Sequence, residues 1–315
     1  MAVPADPYQA RFAQRFGHLR QPHVRALAWL LDAPDLLDPH DPHWEGRIAS
    51  IGALTPATLA WLDALDADPA PLEAALGDRV YTRLGLYAEK LMAFYYRAQG
   101  VLVAHGLQVR AAHNDTVGEF DFLLDAGPHG LEHIEFATKF YLLEGEAASR
   151  FDTFVGPNLA DSLGAKMRKI VTRQLALGSH AAAAAVLPRP VTRARALVKG
   201  WLFYPVAVAP VPTMAGIGPA HCRGFWCALA ELGQMDNERF VILPRLQWLA
   251  PYRGQDPALG REPLQAALAE RFDAAPMPVL VAAVREEDGM WVETGRGFIV
   301  PDNWRARAAA RRSGD

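Results

Sequence analysis

The segment from Gly118 to Leu142 constrains the fold of this chain more than any other. It reads GEFDFLLD, then AGPHG, then LEHIEFATKFYL, so two alternating stretches flank a turn. Side chains in a β-strand alternate between the two faces of the sheet, so each stretch can bury one apolar face and expose one polar face. Gly127, Pro128 and Gly130 are turn-forming residues. The segment therefore predicts a β-hairpin.

Charged side chains gather on the predicted polar face of this hairpin. On the first strand, Glu119 and Asp121 are expected to share one face, opposite Phe120 and Phe122. On the second strand, one face carries four side chains: His133, Glu135, Ala137 and Lys139. The pattern predicts that Asp121, Glu135 and Lys139 lie side by side on neighbouring strands.

Two carboxylates and an ammonium group are what a magnesium-dependent phosphodiester hydrolase needs. Mg²⁺ prefers oxygen ligands and is usually held by one or two carboxylates together with substrate phosphate. The bound ion activates water and stabilises the charge that develops on the phosphorus oxygens. Asp121 and Glu135 are therefore candidate ligands of Mg²⁺ (or Mn²⁺), and Lys139 is a candidate for positioning the attacking water. An antiparallel hairpin with one solvated face would give the same alternation without any function.

The composition of the chain limits the class of protein, its partners and its compartment. The chain has 315 residues, 51% hydrophobic and 21% charged, as in an ordinary globular protein. Its net charge of −3 excludes a global basic field, so nucleic-acid binding would need a local basic patch. The only two cysteines, Cys222 and Cys227, indicate a reducing compartment, and we expect them in a core helix. No apolar run suits a signal peptide or a membrane span, so we expect a cytoplasmic protein without membrane contact.

The pattern of helices and strands divides the chain into three parts. Residues 1–77 read as a helical region, with Thr55 as an N-cap and Pro56 in the first helical turn. Residues 78–210 read as a helix ending at Gly100, three strands, a helix from about 159 to 177, and a buried strand. Residues 211–315 read as an α+β extension packed on this core, with a terminal hairpin.

The order helix, GExD strand, ExK-type strand and helix resembles the PD-(D/E)XK nuclease superfamily. The segment GEFDFLLD…HIEFATKF is similar to the core hairpin of its Holliday-junction-resolvase-like and RecB-like members. More closely, the chain resembles an uncharacterised bacterial family known as a domain of unknown function. That likeness runs through LGLYAEKLMAF, HGLQVR, GEFDFLL, EFATKFYL, GPNLADSL and KGWLFYP, which covers most of the chain. The resemblance implies an α/β fold with a restriction-endonuclease-like αβββαβ core.

The motif can be carried over residue by residue. Asp121 matches the metal-binding aspartate and Glu135 matches the acidic residue of the second half-motif, while the carbonyl of Phe136 adds a ligand by resemblance. The superfamily lysine falls at position 137, where this chain has Ala137. Lys139 lies two residues on, on the same face and about 7 Å further along the strand, and its long side chain can reach back.

Further residues are candidates for accessory and binding roles. By resemblance, Glu89 on the preceding helix points toward the metal, and Gln174 matches the glutamine that follows the ExK strand in RecB-like nucleases. Glu119 is a candidate extra ligand or a solvent-facing strand residue. The candidates for contact with the phosphate backbone are Arg110, Lys166, Lys169 and Arg173, although a row of charges on one helix face is often only a solvated surface.

Three functions fit these patterns. The leading one is metal-dependent cleavage of DNA or RNA. The second is a catalytically inert nuclease-fold module that binds nucleic acid or a protein partner. The third is a hydrolase of a small phosphoester, which a narrow closed pocket would favour, whereas a long basic groove would favour nucleic acid.

Overall fold

The structure is a computed structural model that describes residues 7–78, 80–112, 115–145, 151–208 and 213–314. The α-helices are α1 (Tyr8–Phe16), α2 (Pro22–Asp32), α3 (Pro56–Ala67), α4 (Ala70–Leu76), α5 (Leu84–Ala98), α6 (Leu163–Lys169), α7 (Arg261–Ala274) and α8 (Trp304–Gly314). The strands are β1 (Leu102–Ala112), β2 (Asp115–Asp125), β3 (Leu131–Leu143), β4 (Phe154–Val155), β5 (Val191–Pro205), β6 (Cys222–Ala228), β7 (Phe240–Ile242), β8 (Arg253–Gly254), β9 (Val279–Glu287) and β10 (Met290–Val300). The sequence also predicts a turn from His113 to Asp115, between β1 and β2, and its first two residues lie outside the described residues.

These strands form one mixed sheet. Its order is β1-β2-β3-β5-β6-β10-β9-β7, with β4 paired to β3 and β8 paired to β10. The β3–β5, β5–β6 and β6–β10 pairs are parallel, and the other pairs are antiparallel. Strands from the predicted core and from the predicted C-terminal extension thus continue one another in the same sheet. The boundaries at 77/78 and 210/211 stay predictions.

The predicted order of elements is present in the middle of the chain. Helix α5 is followed by β1, β2 and β3, which pair antiparallel in sequence, and then by the segment that holds α6. That segment leads to β5, which pairs parallel with β3 over nearly its whole length. The chain is a mixed α/β protein, as the sequence predicts.

Local signals placed two helix ends correctly. The Thr55 hydroxyl accepts a hydrogen bond of 3.1 Å from the Thr58 N–H, and Pro56 occupies the first helical turn of α3. Gly100, at φ +70°, follows the last turn of α5 and donates its N–H to the Arg97 carbonyl. A left-handed backbone at this position suits glycine, which is why the helix ends there.

Hydrophobic cores cover both faces of the sheet. The largest contains side chains of α1, α2 and α5 packed on Phe122, Ile134 and Phe136, and it extends through Trp201 to Trp304. A second core on the opposite face of β3 joins Ala137 and Tyr141 to α6. The hairpin is thus held between α5 on one face and α6 on the other.

Three sequence expectations were wrong. Phe120 does not share a face with Phe122: it contacts His133 and belongs to a separate core. The helix expected from about 159 to 177 is an α-helix only over Leu163–Lys169 and then widens into a π-turn. Cys222 and Cys227 are buried and free as expected, but they lie in β6 rather than in a helix.

Within the described residues, no helix combines the length and the apolar character needed to cross a lipid bilayer.

Candidate active site

The candidate site lies where β2 separates from β3. The last pair between these strands is Phe122 with Ile134, and the next residue on β2 is Asp121. One oxygen of the Asp121 carboxylate, Oδ2, accepts a hydrogen bond of 2.8 Å from the Phe136 N–H. The Asp121 side chain thus accepts the hydrogen bond that the backbone of β2 would otherwise accept from Phe136. This bond fixes the Asp121 carboxylate beside Glu135.

Glu135 points into the protein toward α6. Its side chain is 2% exposed, and its Oε1 accepts a hydrogen bond from the side-chain amide of Gln174. The Lys166 ammonium lies 4.0 Å from the same oxygen and donates a hydrogen bond of 3.1 Å to Gln174 Oε1. Glu135 Oε2 is buried without a hydrogen-bond partner among the described residues. The structure therefore brings together Asp121, Glu135, Lys166 and Gln174.

The π-turn of residues Ile170–Gln174 carries Gln174 to this place. Helix α6 begins at Ser162, whose hydroxyl accepts a hydrogen bond of 3.2 Å from the Ala165 N–H. After Lys169 the helix widens, and Gln174 is the last residue of the wide turn. Such turns inside helices are rare and often occur at functional sites.

The two carboxyl groups disfavour each other's ionisation. Burial is the main cause that raises the pKa of both Asp121 and Glu135 above the usual range. Repulsion by Asp121 raises the pKa of Glu135 further, and the carboxylate of Glu89 raises both. The Lys166 ammonium lowers the pKa of both groups. A site of this kind gains stability when a cation enters it.

Lys139 forms its ion pair with Asp161 rather than with either member of the carboxylate pair. Its ammonium is 3.8 Å from Asp161 Oδ2 and 5.8 Å from the ring centroid of Tyr141. Tyr141 donates a hydrogen bond of 2.8 Å to the same Asp161 oxygen. Burial lowers the pKa of Lys139, and the Asp161 carboxylate opposes that effect. The charges of Lys166 and Glu135 both act on this pKa as well. Lys166, from α6, is the ammonium that contacts Glu135.

The accessory candidates occupy two different environments. Glu89, on α5, is partly buried and its Oε1 lies 2.7 Å from Nε2 of His105 on β1. Glu119 is exposed on β2, 3.4 Å from the Gln108 side-chain nitrogen, and its charge adds slightly to the raised pKa of Asp121. Glu89 therefore borders the carboxylate pair, and Glu119 lies at its solvent side.

The phosphate-contact candidates are also divided. Lys169 and Arg173 are exposed on the helix that carries Lys166, so the row leads from the site to the surface. Arg110 is exposed on β1, where it donates a hydrogen bond of 2.7 Å to Gln108.

No pattern in the sequence indicates His105 or Asp161. The sequence predicts His133 as a surface group on the Glu135 face, which is wrong because the side chain is buried. His133 is fully buried, with Nε2 3.9 Å from Glu135 Oε2, and burial lowers its pKa to about 4. Its two ring nitrogens have no hydrogen-bond partner among the described residues. The position of His133 on the Glu135 face was the available signal, but no local pattern indicates that Phe120 of β2 packs against its ring.

The donor set fits one divalent cation only in part. Among the described residues, no group of three or more His, Cys, Asp or Glu side chains is arranged to hold a metal ion. Two carboxylates are nevertheless enough for Mg²⁺ when substrate phosphate and water complete the shell. The unpartnered Oε2 of Glu135 is an oxygen that such an ion would satisfy.

A family described as a domain of unknown function (DUF1853) matches residues 25–300. The chain belongs to this family. The matched range of the DUF1853 family contains both carboxylates, Lys166, Gln174 and all of the strands described above. No curated protein and no solved structure matches the chain.

Proposed function

We propose that this DUF1853 protein is a metal-dependent phosphodiester hydrolase that cleaves DNA or RNA. The observation that carries the proposal is the pairing of Asp121 with Glu135 at the opening between β2 and β3, beside the Lys166 ammonium. Buried carboxylates that repel one another are costly to the fold, so their presence suggests a role that needs negative charge.

Each residue has a distinct task in this proposal. Asp121 and Glu135 would hold Mg²⁺ or Mn²⁺, which supplies Lewis acidity and a more acidic bound water. The Phe136 N–H orients Asp121, and Gln174 orients Glu135. Lys166 would hold the attacking water or stabilise charge on the phosphate, since its ammonium already lies 4.0 Å from Glu135 Oε1.

The order of elements around the site supports a nuclease-like core. A helix, three antiparallel strands, a helix and a parallel strand follow each other as α5, β1, β2, β3, α6 and β5. The lysine of the second half-motif is absent at Ala137, and we propose that Lys166 replaces it from the facing helix. Lys169 and Arg173 would then contact the phosphate backbone outside the site.

Metal binding and cleavage test the proposal separately. Mg²⁺ or Mn²⁺ should raise the melting temperature of the wild type, because the ion binds the folded carboxylate pair. Asp121→Asn should abolish that shift, since the amide keeps an acceptor for Phe136 but loses the charge. The control is Asp125→Asn, which changes an exposed aspartate on the same strand that pairs with Arg189 and should keep the full shift.

The cleavage assay uses supercoiled plasmid, single-stranded DNA and RNA with each ion. The wild type should cut at least one of them, and Asp121→Asn should cut none. An equal metal shift in Asp121→Asn would place the cation elsewhere and contradict the proposal.

A second candidate is an inert nuclease-fold module that binds nucleic acid or a protein. The observation that favours it is the donor set, because among the described residues no three His, Cys, Asp or Glu side chains are arranged together to hold a metal ion. A wild type that binds nucleic acid, shows no metal shift and cuts nothing would establish this second candidate.

A further inference from the structure

A cavity lies beside β3, further along the strand than the carboxylate pair. Its volume is about 270 Å³, and it is bounded by the start of α5, by β3, by the loop before α6 and by the turn after β7. The charged groups that line it are Arg83, Lys139, Asp161 and Arg245. None of the roles proposed above uses this cavity.

The charge of the cavity suits an anion. Three cationic side chains face one carboxylate, which leaves a surplus of two positive charges in a chain whose net charge is −3. Lys139 is 3.8 Å from Asp161, whereas Arg83 and Arg245 form no ion pair with any described residue. Thr138 also lines the cavity, and its buried hydroxyl has no hydrogen-bond partner among the described residues. The Arg83 and Arg245 side chains are exposed, so their guanidinium donors are available to phosphate oxygens.

The cavity and the carboxylate pair share one open strand edge. β3 pairs with β2 only as far as Ile134 and with β4 only from Leu142. Backbone groups alternate between the two edges of a strand, so the N–H groups of Thr138 and Phe140 lie on the same edge as that of Phe136. Glu135 and Lys139 are four residues apart, or about 13 Å along the strand. A single nucleic-acid strand that lies along this edge would therefore pass both the carboxylate pair and the cavity.

We propose that this cavity binds the terminal phosphate of a nucleic-acid strand whose backbone follows the open edge of β3 to Asp121 and Glu135. The inference rests on the proposed function, and it makes the site one that works near a phosphorylated strand end. A terminal phosphate monoester carries about −1.5 to −2 charge at neutral pH, which matches the surplus of two cations, whereas an internal diester carries a single charge.

The test measures binding without divalent ions, so it does not depend on cleavage. Short single-stranded oligonucleotides with an internal fluorophore carry a 5′-phosphate, a 3′-phosphate or only hydroxyl ends, and affinities come from fluorescence anisotropy in EDTA. We expect the wild type to bind one phosphorylated form about tenfold or more tighter than the hydroxyl form, as charge-assisted hydrogen bonds to one dianion allow. Inorganic phosphate should compete with that form.

The double variant Arg83→Ala with Arg245→Ala should bind the phosphorylated and hydroxyl forms about equally, so the ratio of the two affinities should fall to about one. Arg83 makes no side-chain cap hydrogen bond in α5, so its truncation leaves the start of the helix intact. The control is Arg97→Ala, which removes an exposed arginine at the opposite end of the same helix and should keep the ratio. Circular dichroism and melting temperature confirm that each variant is folded.

Three results would overturn the inference. One is equal affinity of the wild type for phosphorylated and hydroxyl ends. Another is a preference that survives in the double variant, which would locate the phosphate elsewhere. The third is a loss in the double variant that is the same for both kinds of end, which would assign the cavity to a backbone phosphate. A wild type that prefers the phosphorylated end but cuts no substrate would support the cavity and contradict the proposed hydrolysis.

Discussion

At the scale of single residues, the Glu135 carboxylate is oriented so that only one of its two oxygens has a hydrogen-bond partner in the described part of the chain. Gln174 and Lys166 contact Oε1, whereas Oε2 has no partner among the described residues. Burial and the Asp121 carboxylate both raise the pKa of Glu135. This arrangement costs folding free energy, as at many functional sites, and a neutral side chain at position 135 would remove that cost.

Glu135→Gln should therefore stabilise the protein in the absence of divalent ions. The amide keeps an acceptor for Gln174 and removes the repulsion with Asp121, so we expect the free energy of unfolding at pH 8 to rise by about 1 kcal/mol. A raised pKa means that the penalty on Glu135 grows with pH above the unfolded value, so the gain should shrink toward pH 5.

Urea denaturation in EDTA measures this change. The matched control is Glu132→Gln on the same strand, because Glu132 accepts a hydrogen bond of 2.6 Å from Arg195. Losing that pair should lower stability by about 0.5–1 kcal/mol. If Glu135→Gln is as destabilising as Glu132→Gln, the carboxylate pair is not repulsive.

The two lysines should differ in kinetics. Lys166→Met should lower kcat by about 10²–10³, as expected when one group that stabilises transition-state charge is lost. Lys139→Ala should raise KM for a phosphorylated strand and leave kcat nearly unchanged, since its ammonium lies near Asp161 and the cavity. Steady-state cleavage of a labelled oligonucleotide gives both constants, and a kcat loss in Lys139→Ala equal to that in Lys166→Met would return the catalytic role to Lys139.

At the scale of elements, the local parts of the site could be predicted and the non-local parts could not. The turn at Gly127 and the alternation in β3 are local, and both hairpin strands were found where the sequence predicts them. Phe120 and Phe122 pack in different cores, and this change occurs at the point where β2 leaves β3 beside Asp121. No spacing within one strand carries that information.

The contact between Lys166 and Glu135 was unpredictable for a similar reason. It depends on how the segment between β3 and β5 crosses the sheet and on the π-turn after Lys169. The sequence placed Lys166 correctly on a helix face, but periodicity alone cannot tell which strand residue that face meets.

The pairing of β3 with β5 depends on a close approach at Gly200. A Cβ at this position would lie 1.9 Å from the Lys139 carbonyl oxygen, which is backbone and cannot turn aside. Gly200→Ala should therefore lower the free energy of unfolding by about 3 kcal/mol through overpacking.

The matched control for this change is Gly295→Ala on β10, where an added Cβ meets nothing within 4 Å. Its effect should stay within about 0.5 kcal/mol. Denaturant unfolding compares the two variants with the wild type. Equal stability of both variants would mean that β3 and β5 do not approach as closely as the structure has them.

At the scale of the whole molecule, one sheet joins regions that look separate in sequence. Arg296 on β10 is fully buried, pairs with Glu293, and donates a hydrogen bond of 2.7 Å to the Ala250 carbonyl. Its guanidinium lies 4.3 Å from the ring centroid of Trp201 on β5. Such contacts connect the C-terminal strands to β5, which borders the site, so we expect the described chain to unfold cooperatively as one unit.

His221 should make that stability depend on pH. Its Nδ1 lies 2.6 Å from the Gly218 carbonyl oxygen, which can only accept, so Nδ1 carries the proton and Nε2 accepts from Tyr204 at 2.8 Å. Burial lowers the pKa of His221 to about 4, with a smaller effect of Arg223 in the same direction and an opposing effect of the Gly218 hydrogen bond. The unfolded chain, with a histidine pKa near 6.5, then binds more protons than the folded chain between about pH 4 and 6.5.

The contribution of His221 is therefore fully present above pH 6.5 and is lost as the pH falls toward 4. At pH 5 the loss is about 2 kcal/mol relative to pH 7. Comparison with His221→Gln isolates this change from other titrating groups: the advantage of the wild type over the variant should shrink by that amount between pH 7 and pH 5 in urea denaturation. His40→Gln, at an exposed position, should run parallel to the wild type at both pH values. A constant gap between wild type and His221→Gln would show that His221 is protonated as readily in the folded chain as in the unfolded one, and that it is not enclosed between Tyr204 and Gly218.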